Sequence, residues 1–375
     1  MLNNEIIYQI FVRNYSEEGT FNAVTKDLER IKDLGVDIIY LLPIHEIGEL
    51  NRKGTYGSPY AIKDYFSITK DYGTKEDFKC LIDKTHELGM KIIMDMVFNH
   101  TSPDNVLIDS HPEYYFYKNG KRGNRVGDWS DIVDLDTNRE DTQEYLLSVL
   151  KYWVSLGVDG FRFDVASMIP LSFFKKAREE LGDKIIFIGE SIDPGFAEYL
   201  RSIGDNPTPD EKMFPTFDSL YNYSWYAHFN NYLNEDGVLS SLVKALNQDE
   251  SLLQDKGTRL NCMENHDQDR IAYKARHKNL EEIIEFFSYI KGQLFIYAGQ
   301  EYGIKHKPDL FEKDPVKWEK DENIYDVYKK AILEKKSQLD DIKNYQRFSK
   351  INNTTIEVAK YRDGELIDKQ QFNFD

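Results

Sequence analysis

The chain has 375 residues, 41% of them hydrophobic, and a formal net charge of -17. That length supports a large core, and the charge argues against nucleic acid, whose binders need clustered Lys and Arg. Cys80 and Cys262 make neither a disulfide framework nor a CxxC metal site, and no run of about 18 apolar residues marks a membrane span.

The first segment, "IIYQIFV" at 6–12, reads as a strand from the outset. The start has no basic leader followed by a long apolar stretch, so the expected location is cytoplasmic unless a leader has been removed. Further strand candidates follow in chain order: "DIIYLLPI", "KIIMDMVFN", "DGFRFDVA", "KIIFIGES", "FPTFDSLY", "RLNCMEN" and "QLFIYAG". Helical patterns lie between several of them. "AVTKDLERIKDLG", "KEDFKCLIDKTHELG" and "TQEYLLSVLKYWVSLG" each carry apolar residues at 3.6-type spacing and end in Gly. Near-continuous apolar runs are what parallel strands covered by helices require. Eight strands alternating with helices predict an α/β fold, a (β/α)8 barrel, with a doubly wound open sheet as the alternative.

The barrel is expected over 1–100 and 142–344. Residues 101–141, rich in Gly, Asn, Asp and Tyr, are too aromatic for easy disorder and predict a small excursion over the barrel mouth. Residues 345–375 form a short C-terminal β segment, read as a hairpin about Arg362-Asp363-Gly364 after a closing helix at 323–342.

Polar residues gather at the C-terminal ends of the candidate strands: Asn99 and His100 after the third, Arg162 and Asp164 on the fourth, Glu190 on the fifth, His266 and Asp267 on the seventh. In a barrel these ends form one face, where chemistry takes place. On a strand Arg162 and Asp164, two residues apart, point the same way. A guanidinium in an apolar strand is costly unless paired, and pairing would keep the Asp charged. His45-Glu46 lacks an HExxH context and reads as a loop pair.

Four segments in this order carry a resemblance. "DMVFNH" from Asp95 to His100, "GFRFD" at 160–164, "IGES" around Glu190 and "ENHD" at 264–267 resemble the motifs of the alpha-amylase superfamily of retaining glycoside hydrolases and transglycosylases. The resemblance runs from residue 6 to about 303. It implies Asp164 as nucleophile, Glu190 as general acid and base, and Asp267 as a stabiliser of the oxocarbenium-like transition state. It implies Arg162, His100, His266 and the stacking Tyr60 as substrate-binding groups, with Asp64 and Asp95 supporting them. The two reacting carboxyls of a retaining enzyme sit roughly 5–5.5 Å apart.

The chain also departs from the family. Ser167 and Met168 stand where many members have Lys-His, a pair that serves a leaving-group subsite and calcium. Asn99 matches a family calcium ligand, but a hard cation needs several oxygens and the others are not evident. No cofactor is therefore required, with calcium kept open. The substrate implied is an oligosaccharide or α-glucan, best a short maltodextrin, cleaved at α-1,4 bonds. A transglycosylase, isomerase or phosphorylase of the same superfamily is the alternative, and an inactive sugar-binding member a remote one.

Overall fold

The computed structural model describes residues 2–127, 129–253, 256–338 and 343–375. Eight parallel strands close into a barrel: β1 (Ile6–Ile10), β2 (Ile38–Leu41), β3 (Lys91–Met96), β4 (Gly160–Phe163), β5 (Ile186–Gly189), β6 (Ser219–Tyr221), β7 (Arg259–Cys262) and β8 (Gln293–Tyr297). Each strand pairs with its sequence neighbours and β8 returns to β1. The strands are shorter than their apolar runs. "FPTFDSLY" contributes only Ser219–Tyr221, because Phe214 continues the turn begun by a short helix at Asp210–Met213.

Helices cover the barrel: α1 (Phe21–Leu34), α2 (Lys75–Glu87), α3 (Glu140–Ser155), α4 (Leu171–Leu181), α5 (Pro194–Ser202), α6 (Tyr223–Leu233), α7 (Leu239–Leu253), α8 (Leu280–Tyr289) and α9 (Glu322–Ser337). Local chemistry sets their ends. Thr20 accepts from the Ala23 N–H to start α1, and Gly35 stops it at φ 104. Thr74 and Asp77 form a reciprocal capping box on α2. α3 begins at Glu140, two positions before the sequence boundary at 142, and buries Trp153, whose Nε1 donates to the Tyr65 carbonyl at 2.9 Å. The closing helix ends at Ser337; residues 339–342 of the expected span lie outside the described residues.

Alternation along β4 sorts its side chains. Phe161 and Phe163 turn out to a cluster of rings, with Phe163 4.9 Å from Phe174 and 5.1 Å from Phe187. Arg162 turns the other way, and the parallel register sets it beside Asp95 of β3. Gly160 starts the strand because a Cβ there would lie 2.4 Å from the Ile186 carbonyl oxygen.

The excursion leaves β3 through His100–Thr101, which pairs antiparallel with Val133–Asp134. Asp128, within it, is outside the described residues. The C-terminal segment holds one strand more than the expected hairpin. Tyr345–Lys350 (β9) joins Thr355–Arg362 (β10) and Glu365–Asn373 (β11) in an antiparallel sheet. Asp363 and Gly364, at φ 52 and 85, make the β10–β11 turn. Phe286 of α8 packs 5.6 Å from Phe372, so this sheet caps the barrel wall instead of standing free.

Candidate active site

Every strand end named in the sequence reading opens on one face, and a cavity of about 360 Å³ lies there. Asp164, Glu190, Asp267, His100, His266 and Tyr60 all line it. Arg162 lies beneath, fully buried.

The guanidinium is shared. Arg162 Nη1 donates to Asp95 Oδ1 at 2.8 Å and Oδ2 at 3.0 Å, and to Asp164 Oδ1 at 3.0 Å. Nη2 lies 2.9 Å from Glu190 Oε1, an ion-pair contact without an aligned hydrogen bond, and Nε has no acceptor among the described residues. The cation also lies 5.4 Å from the Tyr221 ring centroid. One positive charge thus faces carboxyls from β3, β4 and β5.

This changes the electrostatics expected from sequence. Arg162 does favour the charged form of Asp164, but burial and the neighbouring Glu190 outweigh it and raise Asp164 well above the usual carboxylate range. Burial raises Glu190 too, against the pull of Arg162. Arg162 thus pulls Asp164 in the expected direction, but burial and Glu190 set the net direction. With surplus negative charge in a buried place, the pair retains a proton that isolated carboxyls would have lost.

Asp267 goes the other way. Burial works against its charge, yet His266, with Nε2 3.1 Å from Oδ2, together with Arg162 and Lys307, holds it at about 2. Its side chain is 46% exposed, so water screens part of that pull. Gln9 Nε2 donates to His266 Nδ1 at 3.2 Å, which leaves Nε2 of the ring as the donor toward Asp267.

Backbone and side chains below fix these groups. Val165, directly after Asp164, has φ 35, a left-handed conformation that a β-branched residue rarely adopts. Its N–H donates to Glu190 Oε2 at 2.8 Å, tying the two strand ends together. Asp95 accepts from Tyr40 at 2.6 Å and Tyr60 at 2.9 Å, so it supports the site from below. Tyr60 stacks on His266 at 5.1 Å with planes 15° apart. Asp64 is not at the cavity. It accepts from the Phe66 N–H at 2.9 Å and shapes a turn beside Tyr65, whose hydroxyl holds the Val97 carbonyl at 2.6 Å.

Asn99 Nδ2 donates to His100 Nδ1 at 3.3 Å. Burial lowers His100 to about 4, so the ring is neutral. Asp134, a fully buried acid of the excursion, is held by Arg125 at 3.1 Å. Among the described residues no three His, Cys, Asp or Glu side chains converge as metal ligands. Through that amide nitrogen Asn99 orients His100, while its Oδ1 oxygen takes no part in the contact. Ser167 is buried against the Met213 sulfur at 3.6 Å, and neither it nor Met168 lines the cavity.

Sequence reasoning missed Tyr40, Gln9, Lys53, Asp131 and Phe311. Tyr40 sits in a purely apolar strand run, and Gln9 is the lone polar residue of β1. Lys53, Asp131 and Phe311 lie on irregular segments with no periodic signal.

A closed parallel barrel whose strand ends carry a buried, guanidinium-bridged carboxyl pair and a third acid defines a glycoside hydrolase. Residues 7–129 and 125–350 match the family described as alpha amylase, catalytic domain, and the chain belongs to the alpha-amylase family. An alpha-amylase from Lactobacillus plantarum is similar over 99% of this chain and 98% of its own, with 34% identity and a TM-score of 0.87. The maltogenic alpha-amylase AmyB from Thermotoga neapolitana is 32% identical over 99% of this chain and 85% of its own, with a TM-score of 0.85. "Alpha-amylase 3" of Dictyoglomus thermophilum is 27% identical over 87% of this chain and 70% of its own length. "Probable oligo-1,6-glucosidase 2" of Bacillus subtilis is 24% identical over 88% and 70%. No described helix is long and apolar enough to cross a membrane.

Proposed function

We propose that the chain hydrolyses α-1,4-glucosidic bonds in maltodextrins with retention, through a covalent glycosyl-enzyme. The observation that carries this reading is Arg162 bridging Asp164 at 3.0 Å and Glu190 at 2.9 Å in one cavity with Asp267. The proton the pair keeps belongs on Glu190 when substrate is bound, leaving Asp164 as the anion. Asp164 attacks the anomeric carbon as the glycosidic C–O bond breaks, and the Glu190 proton goes to the departing oxygen. Glu190, now a carboxylate, takes a proton from water as that water attacks the same carbon and releases Asp164. Asp267, held charged, stabilises the positive character that develops on the ring at each step. His100, His266 and Tyr60 hold the sugar.

The relatives' names favour both amylase and oligo-1,6-glucosidase activity, and a panel of α-1,4- and α-1,6-linked oligosaccharides separates the two. Proton NMR of the first product formed from maltotriose tests retention. The α-anomer is expected, and the β-anomer overturns the double displacement.

A second reading, transfer to a sugar acceptor, has its own support. Trp129, Phe196 and Tyr199 form a row of rings spaced 6.3 Å and 6.2 Å on the Glu190 side, a surface suited to an acceptor sugar. Longer oligosaccharides on adding glucose to maltoheptaose support transfer; unchanged products exclude it. Cys80 and Cys262 are both free thiols, Cys80 exposed, which suits a reducing cytoplasm. Cell fractionation tests that placement.

A further inference from the structure

The cavity has two ends, and the chemistry assigns them. The acid must reach the glycosidic oxygen, so the departing part of the substrate leaves on the Glu190 side. Glu190 ends β5, and β5 lies across the barrel from β1 in the closed strand order. The segments after β2 and β8, the neighbours of β1, therefore border the opposite end, where the retained sugar points its non-reducing end.

That end is shut. Lys53, after β2, places Nζ 2.7 Å from Asp131 Oδ1 of the excursion. The same ammonium lies 5.8 Å from the ring centroid of Phe311, after β8. All three line the cavity with Asp164 and Tyr60. An ion pair with a half-exposed lysine is too weak to hold a wall alone. The backbone beneath it supplies the rest. The Tyr56 N–H donates to the Phe311 carbonyl at 3.0 Å and the Thr55 N–H to Glu312 Oε1 at 2.9 Å. Arg13 Nη1 donates to the Gly57 carbonyl at 2.9 Å and the Leu310 carbonyl at 3.1 Å, clasping both segments from below. Gly54, at φ 63, allows the closest approach, since a Cβ there would sit 2.7 Å from Phe311 Cβ.

We propose that Lys53, Asp131 and Phe311 form a terminal-sugar cap that makes the enzyme cut α-glucans from the non-reducing end. The proposal rests on the hydrolytic reading above. In an α-1,4 chain every internal O4 is substituted, and only the terminal unit carries a free O4 hydroxyl. That hydroxyl can donate to Asp131 and accept from Lys53 at once, while the Phe311 ring covers an apolar sugar face. A substituted O4 has no proton to give and adds a further sugar where the clasp leaves no exit. The cap thus both recognises the chain end and rejects an internal segment.

The test compares two heptasaccharides by initial rate, followed by mass spectrometry: maltoheptaitol with a free non-reducing end, and the same chain with terminal O4 and O6 blocked as an ethylidene acetal. The wild-type enzyme consumes the blocked chain at least about tenfold more slowly. The K53A/D131A double variant narrows that ratio, and F311A narrows it as well. The readout is a ratio, so a general loss of activity cancels; K53Q, which keeps the backbone clasp, replaces any variant that fails to fold and narrows the ratio too. Equal wild-type rates on both chains, or an unchanged ratio in every variant, overturn the cap. Failure to consume either chain overturns the hydrolytic reading itself.

Discussion

Two arginines lie fully buried at the barrel's upper face, and their surroundings differ. Arg270 is saturated. Its Nη1 donates to Glu264 at 2.7 Å, Nη2 to the Ala298 carbonyl at 3.0 Å and Nε to the His306 carbonyl at 3.1 Å. Glu264 in turn accepts the Ile271 N–H at 2.5 Å. Each charge has its complement and neither carboxyl oxygen faces the cavity. Arg162 is oversubscribed. It meets Asp95, Asp164 and Glu190, leaves Nε without an acceptor among the described residues, and lies beneath carboxyls that open on the cavity. The difference teaches how a buried cation divides into two uses. A saturated pair closes a fold, whereas a cluster with surplus negative charge offers what the proposed proton donor and nucleophile require.

Removing Asp164 breaks the comparison hardest. D164N should lower kcat by about 10^4-fold or more. It should also raise Tm. A carboxyl raised above its unfolded value binds protons more tightly in the folded state, so its contribution to stability falls as pH rises through that window and is unfavourable at neutral pH. The Tm gain should be present at pH 7 and shrink toward pH 3, as calorimetry would show. A lower Tm at pH 7 would mean the site carries no surplus charge.

E190Q comes next, with a loss of about 10^2–10^4-fold on maltodextrins. Glycosyl fluorides, whose leaving group needs no proton, should recover much of the first step. The alkaline limb of kcat/KM against pH should also vanish, because the retained proton is gone. No recovery and an unaltered limb would separate Glu190 from the acid role.

The saturated arginine predicts the reverse pattern. E264Q leaves a buried cation short of its partner and should cost about 3–5 kcal/mol of stability, read as a lower Tm. The pH profile of the protein that remains folded should be unchanged, since Glu264 does not face the cavity. A shifted profile would join the two arginines into one network.

The smallest effect concerns His45, buried between Tyr65 and Trp153 with neither ring nitrogen paired among the described residues. Burial lowers it to about 3. The unfolded chain binds the proton first, so stability falls as pH drops from about 6.5 toward 3, on the order of 1.4 kcal/mol per unit. H45F should lose less stability than wild type between pH 6 and 4. Parallel Tm curves would show that His45 does not set the acid limit.

Much of this was legible in the chain. Continuous apolar runs such as "KIIMDMVFN" marked strands covered on both faces, and 3.6-type apolar spacing with terminal Gly residues marked helices, because those signals are local. Strand-end acids were legible because a barrel collects strand ends on one face. What sequence spacing could not show was the number of partners. It paired Arg162 with Asp164, two residues away, whereas register brings Asp95 from β3 and the guanidinium reaches Glu190 on β5. Burial first, and then Glu190, set the net direction for Asp164 against the pull of Arg162. The cap was hidden for the same reason: Lys53, Asp131 and Phe311 meet through loop contacts that leave no periodic trace. Strand β9 was missed because "YQRFSK" mixes charges with a single buried ring, Phe348, and looks like a polar connector.

The most direct test of the Arg162-bridged pair is to trap the intermediate. Incubation with 5-fluoro-α-glucosyl fluoride, followed by proteolysis and mass spectrometry, should yield one labelled peptide, with the sugar on Asp164. A label on any other side chain, or turnover of this reagent with no covalent adduct under conditions where α-product accumulates, would contradict the account.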